Sequence, residues 1–486
     1  MFNSVIWKRQ GVFGLAVLVP IVWFWLVLYW FGYPSPDWDD LALIGAAMNL
    51  ARGGEFVNPL LASWVEQTSD RFLIQPPFHS YILAGWLMLT GISAKSLLAF
   101  QCLCYICFSV FTALTLRAYR YPAWASFAIT VAFAFWMSAR GVRHDALSMA
   151  FLAAGTWCLL RDRPWRYFWG FMLFGASLLT LPLNVAYATV FGVALVGSHA
   201  WSAYQQKTLT MGYIRSRLLA LVSAIALSFS LLLLCIDFRL GQLLADLSWH
   251  AAWRRAPLGL LPTLKTLILN GYGEITYGSL YALYATLLLL LWWYWRKTSV
   301  TLKLHSLTLA ITLAANLLLY VATIHQQFNF MCWLAVILLL AQLPLRRLSR
   351  LLLLGLAVVV FGLNYSSAAL TLVTQTRQTD PTQLATIHQY VRQHPEKTYV
   401  TDSVAARFAF DYQLPANALS FEFLWRDLGD DYELARLSQK PDNEVWIVAE
   451  KQAWHIPELP DYPRAQLFGR TVESIPRYPY HLVLAE

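Results

Sequence analysis

Eleven runs of mostly apolar residues, each about long enough to cross a lipid bilayer, govern what this chain can fold into. They fall near residues 11–31, 96–116, 122–138, 145–160, 167–182, 184–200, 218–235, 276–296, 305–323, 328–344 and 350–371. The bilayer core holds no water to satisfy backbone N–H and C=O groups, so a run that crosses it is expected to be a helix that bonds to itself. Several runs are short, which calls for tilted helices or a locally thinned bilayer. Composition agrees: 58% of the 486 residues are hydrophobic and 13% are charged, about half the charged share of a soluble chain.

A twelfth apolar run, Pro76 to Thr90, decides the orientation of everything after it. If it stays at the outer surface, the cytoplasmic turns receive Arg117 and Arg120; Arg161, Arg163 and Arg166; Lys207, Arg215 and Arg217; Arg296, Lys297 and Lys303; and Arg346, Arg347 and Arg350. If it crosses, every one of these clusters lies outside, against the rule that cytoplasmic loops carry the excess of Lys and Arg. The expected topology is therefore about eleven spans, with the N-terminus in the cytoplasm and the C-terminus outside. The net charge of +9 is then topology rather than a surface for nucleic acid.

The first run, Gly11 to Phe31 behind Lys8 and Arg9, is too long and too aromatic for a cleaved signal, and Gly32-Tyr33-Pro34 is no small-residue cleavage site. All six cysteines lie in apolar runs, so neither a disulfide framework nor a zinc site is expected. From about residue 376 polar and charged residues return. Asp380-Pro381 opens a helical pattern through Leu384, Ile387 and Val391, and strands are predicted at 397–401, 445–448 and 480–484. The expected division is a membrane domain over 1–375 and a small soluble α/β domain over 376–486.

Chemistry concentrates behind the first run, in Tyr33 to Glu55. Asp37, Asp39 and Asp40 precede a segment in which Leu43, Ile44, Ala47, Met48 and Leu50 recur at helical spacing before Arg52-Gly53-Gly54 ends it. That predicts a short interfacial helix with acids at its N-terminal end, inside an exterior loop spanning 32–78. Helix capping by Asp39 and a dipole-favoured first-turn acid at Asp40 account for the pair without any chemistry. Carboxylates this close also serve to share a cation, a proton or a charged ligand. Further along stand Gln75-Pro76-Pro77-Phe78-His79-Ser80-Tyr81, then Arg143-His144-Asp145, then Leu179-Thr180-Leu181-Pro182. In the loop over 237–274, Trp249 and Trp253 alternate with His250 and Arg254-Arg255. That is an amphipathic pattern with one aromatic face for membrane lipid and one basic face for lipid phosphate.

An acid pair after the first span, a Pro-Pro segment opening the next apolar run and an Arg-x-Asp before a later one resemble the GT-C glycosyltransferases, in the branch of protein O-mannosyltransferases and lipid A aminoarabinose transferases. The likeness rests on residues 10–185 and is architectural beyond. It implies a polytopic α-helical membrane protein of about eleven transmembrane helices plus interfacial helices, with the C-terminal α/β domain outside. It implies an inverting transfer of a sugar from a polyprenyl-phosphate donor to an extracytoplasmic acceptor, at a site open to the periplasm of a bacterial inner membrane. In that family the acid pair is catalytic, so Asp39 is expected as general base. Asp40 is expected to orient the acceptor or to help hold a divalent cation, with Asp37 nearby. Arg143 matches the family's Arg-x-Asp position and is expected at the donor phosphate, as are Arg254 and Arg255. His144 stands where the family commonly has proline. Many relatives carry an Arg-Tyr pair late in the chain; here the turn reads His325-Gln-Gln-Phe-Asn329, leaving His325 as the candidate second phosphate contact. His79 and Asp145 are candidates to touch substrate. A transporter or flippase of lipid-linked sugar is the rival reading, since charges at membrane depth also mark transport paths. Against it, no inverted repeat of hydropathy is visible.

Overall fold

The structure is a computed structural model. It describes residues 14, 16–22, 25, 39–58, 70–73, 75–118, 144–253, 289, 292–293, 352, 355, 389–401, 418–420, 444–449, 466–467, 470–471, 473–474 and 482–485. Eight helices are labelled here: α1 (Asp39–Ala51), α2 (Phe78–Thr90), α3 (Ala94–Ala118), α4 (His144–Leu159), α5 (Pro164–Thr180), α6 (Val185–Gln205), α7 (Met211–Cys235) and α8 (Leu240–Trp253).

Helix α1 ends where the glycines said it should. Gly53 takes the left-handed conformation (φ 82°), and its N–H bonds Leu50 O at 2.9 Å, a geometry that costs a β-carbon-bearing residue more. The chain then doubles back, and the Phe72 N–H bonds Phe56 O at 3.0 Å. Helix α2, at 13 residues, spans about 20 Å, short of a ~30 Å hydrocarbon core. Helices α3 and α7, 25 residues each, are long enough to cross. Helix α7 leaves Leu218, Leu219, Val222, Ile225 and Leu234 more than half exposed. A helix apolar on its uncovered side has lipid as its solvent.

Around this, α4 packs on both α3 and α5, and α5 packs on α7. The α4–α5 approach is close because glycines face it: a β-carbon on Gly155 would lie 2.9 Å from the Gly170 carbonyl oxygen. Helix α5 passes to α6 through one 3-10 turn, Pro182–Asn184, so the chain reverses without a loop. Polar side chains hold that reversal. The Ser148 and Ser177 hydroxyls lie 3.0 Å apart, and Asn184 Nδ2 donates to them at 2.5 and 2.6 Å. All three residues are fully buried, where mutual hydrogen bonding is what makes polar groups tolerable.

The C-terminal strands are β1 (Thr398–Thr401), β2 (Ala418–Ser420), β3 (Glu444–Ala449), β4 (Gln466–Leu467), β5 (Arg470–Thr471), β6 (Glu473–Ser474) and β7 (Leu482–Ala485). They form a mixed sheet of order β2-β1-β3-β7-β6, parallel across β2-β1-β3 and antiparallel from β3 to β7, with β4-β5 apart as a hairpin. The strands predicted at 397–401, 445–448 and 480–484 are β1, β3 and β7. Of the helical pattern predicted to run from Asp380 to Val391, residues 389–393 are described and helical.

Candidate functional site

Asp39 and Asp40 are the first two residues of α1, where the helix dipole favours negative charge; their side chains lie outside the described residues. Several segments fix the helix behind them. Ala46 on α1, Phe56, Phe72 and Leu73 from the loop, Ile236 at the end of α7 and Leu243 on α8 form one buried cluster. Phe56 stacks on Tyr81 of α2 with ring centroids 5.3 Å apart. Two ion pairs, Arg71 with Asp237 and Arg239 with Asp70, tie the loop to the α7–α8 junction, where Asp237 and Phe238 both have positive φ. These pairs are solvent-facing and worth at most ~1 kcal/mol each; the apolar cluster sets the geometry and the pairs set its register.

Beside α1, the first turn of α2 meets the first turn of α4. His79, His144 and Asp145 are 3%, 4% and 3% exposed. The His79 and His144 rings lie 6.2 Å apart edge to face, and His144 Nε2 is 3.5 Å from Asp145 Oδ1, a charge contact rather than a hydrogen bond. Burial, and next the neighbouring His144, push the His79 imidazole down to about 3, with Asp145 opposing. His79 is therefore neutral at any physiological pH. Its Nε2 has no hydrogen-bond partner among the described residues, so it is available as donor or acceptor to a polar ligand. One turn along α4 from Asp145 stands Ser148, held by Ser177 and Asn184, so the polar network anchors the end of the helix that carries Asp145.

Of the residues singled out in the sequence, the structure brings together His79 and Asp145, and it sets the helix that begins with Asp39 and Asp40 against α2. Asp37, Arg143, Arg254, Arg255 and His325 lie outside the described residues. Among the described residues no three His, Cys, Asp or Glu side chains are grouped to hold a metal ion. Two residues were missed. His144, read only as a departure from proline, is the contact between His79 and Asp145. Asp246, on α8, is 4% exposed, and its Oδ2 has no hydrogen-bond partner among the described residues. A lone acid one turn from Leu243 and beside Leu247, on the apolar face of an amphipathic helix, was the available signal.

Burial raises the Asp246 carboxyl to about 6, above the usual ~3.9. The folded protein holds this proton more tightly than the unfolded chain does. Stability from this group is thus full below pH ~4, declines as pH rises towards 6, and is level above it. Asp246→Asn is expected to raise the thermal midpoint at pH 7.5 by a few degrees and by much less at pH 4.5. Thermal unfolding across pH 4.5–8 checks this; a parallel downward shift at every pH would mean that the carboxylate is paired.

No family model and no curated protein sequence matches the chain. The fold matches that of a solved polytopic helical membrane protein. The particular solved structure it matches is ArnT, the lipid A aminoarabinose transferase, from Cupriavidus metallidurans, bound to undecaprenyl phosphate. The match covers 98% of each chain with a TM-score of 0.52 and 13% sequence identity.

Proposed function

We propose that the chain is an inverting glycosyltransferase that moves one sugar from a polyprenyl phosphate to an extracytoplasmic acceptor at a bacterial inner membrane. The observation that carries this is the end-to-end likeness to a transferase fold bound to undecaprenyl phosphate, with Asp39 and Asp40 at the helix start where such a site needs its acid. Consecutive positions on a helix lie about 100° apart, which favours separate roles. Asp39 takes the proton from the acceptor O–H or N–H as that atom attacks the anomeric carbon, and the polyprenyl phosphate leaves with the bonding electrons. Asp40 orients the acceptor; as a hard oxygen donor it would also suit a divalent cation. Arg143, Arg254, Arg255 and His325 are proposed for the leaving phosphate, whose charge grows in the transition state. Asp37, His79 and Asp145 are proposed for the sugar or acceptor. In this reading the N-terminus is cytoplasmic, 1–375 is the catalytic membrane domain and 376–486 is a soluble domain over the outer face.

The test is transfer of radiolabelled sugar from a panel of polyprenyl-phosphate sugars to acceptors in native membranes, using the full protein in lipid. Label moving into lipid, glycan or protein acceptors, at a rate proportional to enzyme, is expected. Saturable donor binding with no transfer across the panel would overturn the proposal in favour of transport.

A further inference from the structure

The turn between α4 and α5 lies at the far end of α4 from Asp145, a helix of 16 residues and so about 24 Å away. Its one carboxylate is already engaged. Asp162 accepts hydrogen bonds from Tyr213 Oη at 2.6 Å and Arg217 Nε at 2.9 Å, and Arg217 lies over the Tyr213 ring at 3.7 Å. Arg161, Arg163 and Arg166 therefore crowd one turn with no acid left in it to answer them. Arg161 and Arg163 are exposed, and their charges reach Arg166.

Arg166 is the unusual member. It is 6% exposed, yet its Nε and Nη1 have no hydrogen-bond partner, and the structure shows no ion pair for its guanidinium among the described residues. Its guanidinium carbon stands 4.8 Å from the centroid of Trp157 and 4.7 Å from that of Trp165. Two aromatic faces attract the cation, but they cover its plane and leave the Nε and Nη1 donors unanswered among the described residues. Five such donors in a rigid fork match the oxygens of a phosphate, and a guanidinium already stacked between rings loses little freedom in binding one. Trp165 and Trp169 are each about half exposed, the amphipathic collar found at headgroup level. The rim of this site is thus aromatic and faces lipid, which selects a phosphate carried by a lipid over one in solution.

We infer that Arg166, with Arg161 and Arg163 beside it, binds the phosphate headgroup of an anionic phospholipid, on the membrane face opposite α1. The site is separate from the proposed transferase chemistry and does not depend on it. The positive-inside reading puts it in the cytoplasmic leaflet, where anionic headgroups draw basic turns.

Thermal unfolding of the full protein in detergent, titrated with phosphatidylglycerol, phosphatidylcholine or inorganic phosphate, tests this. Phosphatidylglycerol is expected to raise the midpoint of the parent, and of Arg215→Gln, an exposed change near the start of α7, by the same amount. Phosphatidylcholine and inorganic phosphate are expected to leave both unmoved. Arg166→Gln is expected to lose at least half of the phosphatidylglycerol shift, and the double change Arg161→Gln with Arg163→Gln to need several-fold more lipid for half of its own. Should Arg166→Gln not fold, the exposed double change decides. An undiminished response in these variants, an equal response to inorganic phosphate, or an equal loss in Arg215→Gln would each overturn the site.

Discussion

Asp39→Asn is expected to reduce sugar transfer by roughly 10²- to 10⁴-fold, the usual contribution of a general base, while donor binding and the thermal midpoint stay near those of the parent. The substitution separates chemistry from helix architecture. Asparagine serves a helix N-terminus about as well as aspartate does, and Asp39 opens α1, so a purely structural acid there would be replaced almost without effect. Asp39→Ala is the companion: it loses the carboxylate and any polar group at the start of the helix, where a negative charge is worth about 0.3–1 kcal/mol of stability. Asp40→Asn is expected to cost less than Asp39→Asn, because an orienting group can be replaced by another hydrogen-bonding one. Initial rates from a single active donor, with the midpoint as a folding control, measure all three. An Asp39→Asn rate within tenfold of the parent's would remove Asp39 from the role of base.

Five of the eleven apolar runs are the described helices α3 to α7, and they were legible in the chain because apolar runs, caps and charges are local signals; the runs at 122–138, 276–296, 305–323, 328–344 and 350–371 lie almost wholly outside the described residues. Arg52-Gly53-Gly54 marked the end of α1, which stops at Ala51. Runs 167–182 and 184–200 already abutted, and the helices they became share a single 3-10 turn. Charge misled the reading at one boundary. The run beginning at 218 is helical from Met211, since the Thr210 hydroxyl caps the Tyr213 N–H at 3.1 Å and Arg217 is anchored on Asp162. A count of apolar residues ends at the first arginine, whereas helical hydrogen bonding does not. The site was half legible. Acids at a helix start and a Pro-Pro opening are local, but the meeting of His79 with His144, 65 positions apart, is tertiary and has no periodic trace. Asp246 left little trace because the amphipathic signal of its segment is carried by Trp249 and Trp253, whereas Leu243 and Leu247, which flank the acid, read as an ordinary apolar stripe.

Gly155→Leu is expected to abolish folded protein or to lower its midpoint far more than any surface change, and with it to remove activity. At Gly155 even a β-carbon would lie 2.5 Å from Phe174 Cδ1 and 2.9 Å from the Gly170 carbonyl oxygen, and at Gly170 it would lie 2.5 Å from Leu159 Cγ. Neither obstacle yields cheaply. The carbonyl belongs to the backbone of α5, and Phe174 is buried, edge-on to Phe171 and Tyr187. Relief requires α4 and α5 to separate, which pulls Ser148 from Ser177 and Asn184 and releases the end of α4 that holds His144 and Asp145. Inserting atoms into a packed contact typically costs 1–3 kcal/mol, a fair expectation for Gly155→Ala; leucine adds three more carbons against the same wall. Gly197→Ala is the control, since nothing stands within 4 Å of its β-carbon. Alanine there is expected to leave the midpoint level or raise it, by up to ~1 kcal/mol of helix propensity. Yield and midpoint in one detergent compare the three. Parental values for Gly155→Leu would mean that α4 and α5 do not touch through these glycines, and that the Ser148–Ser177–Asn184 network does not set the position of Asp145.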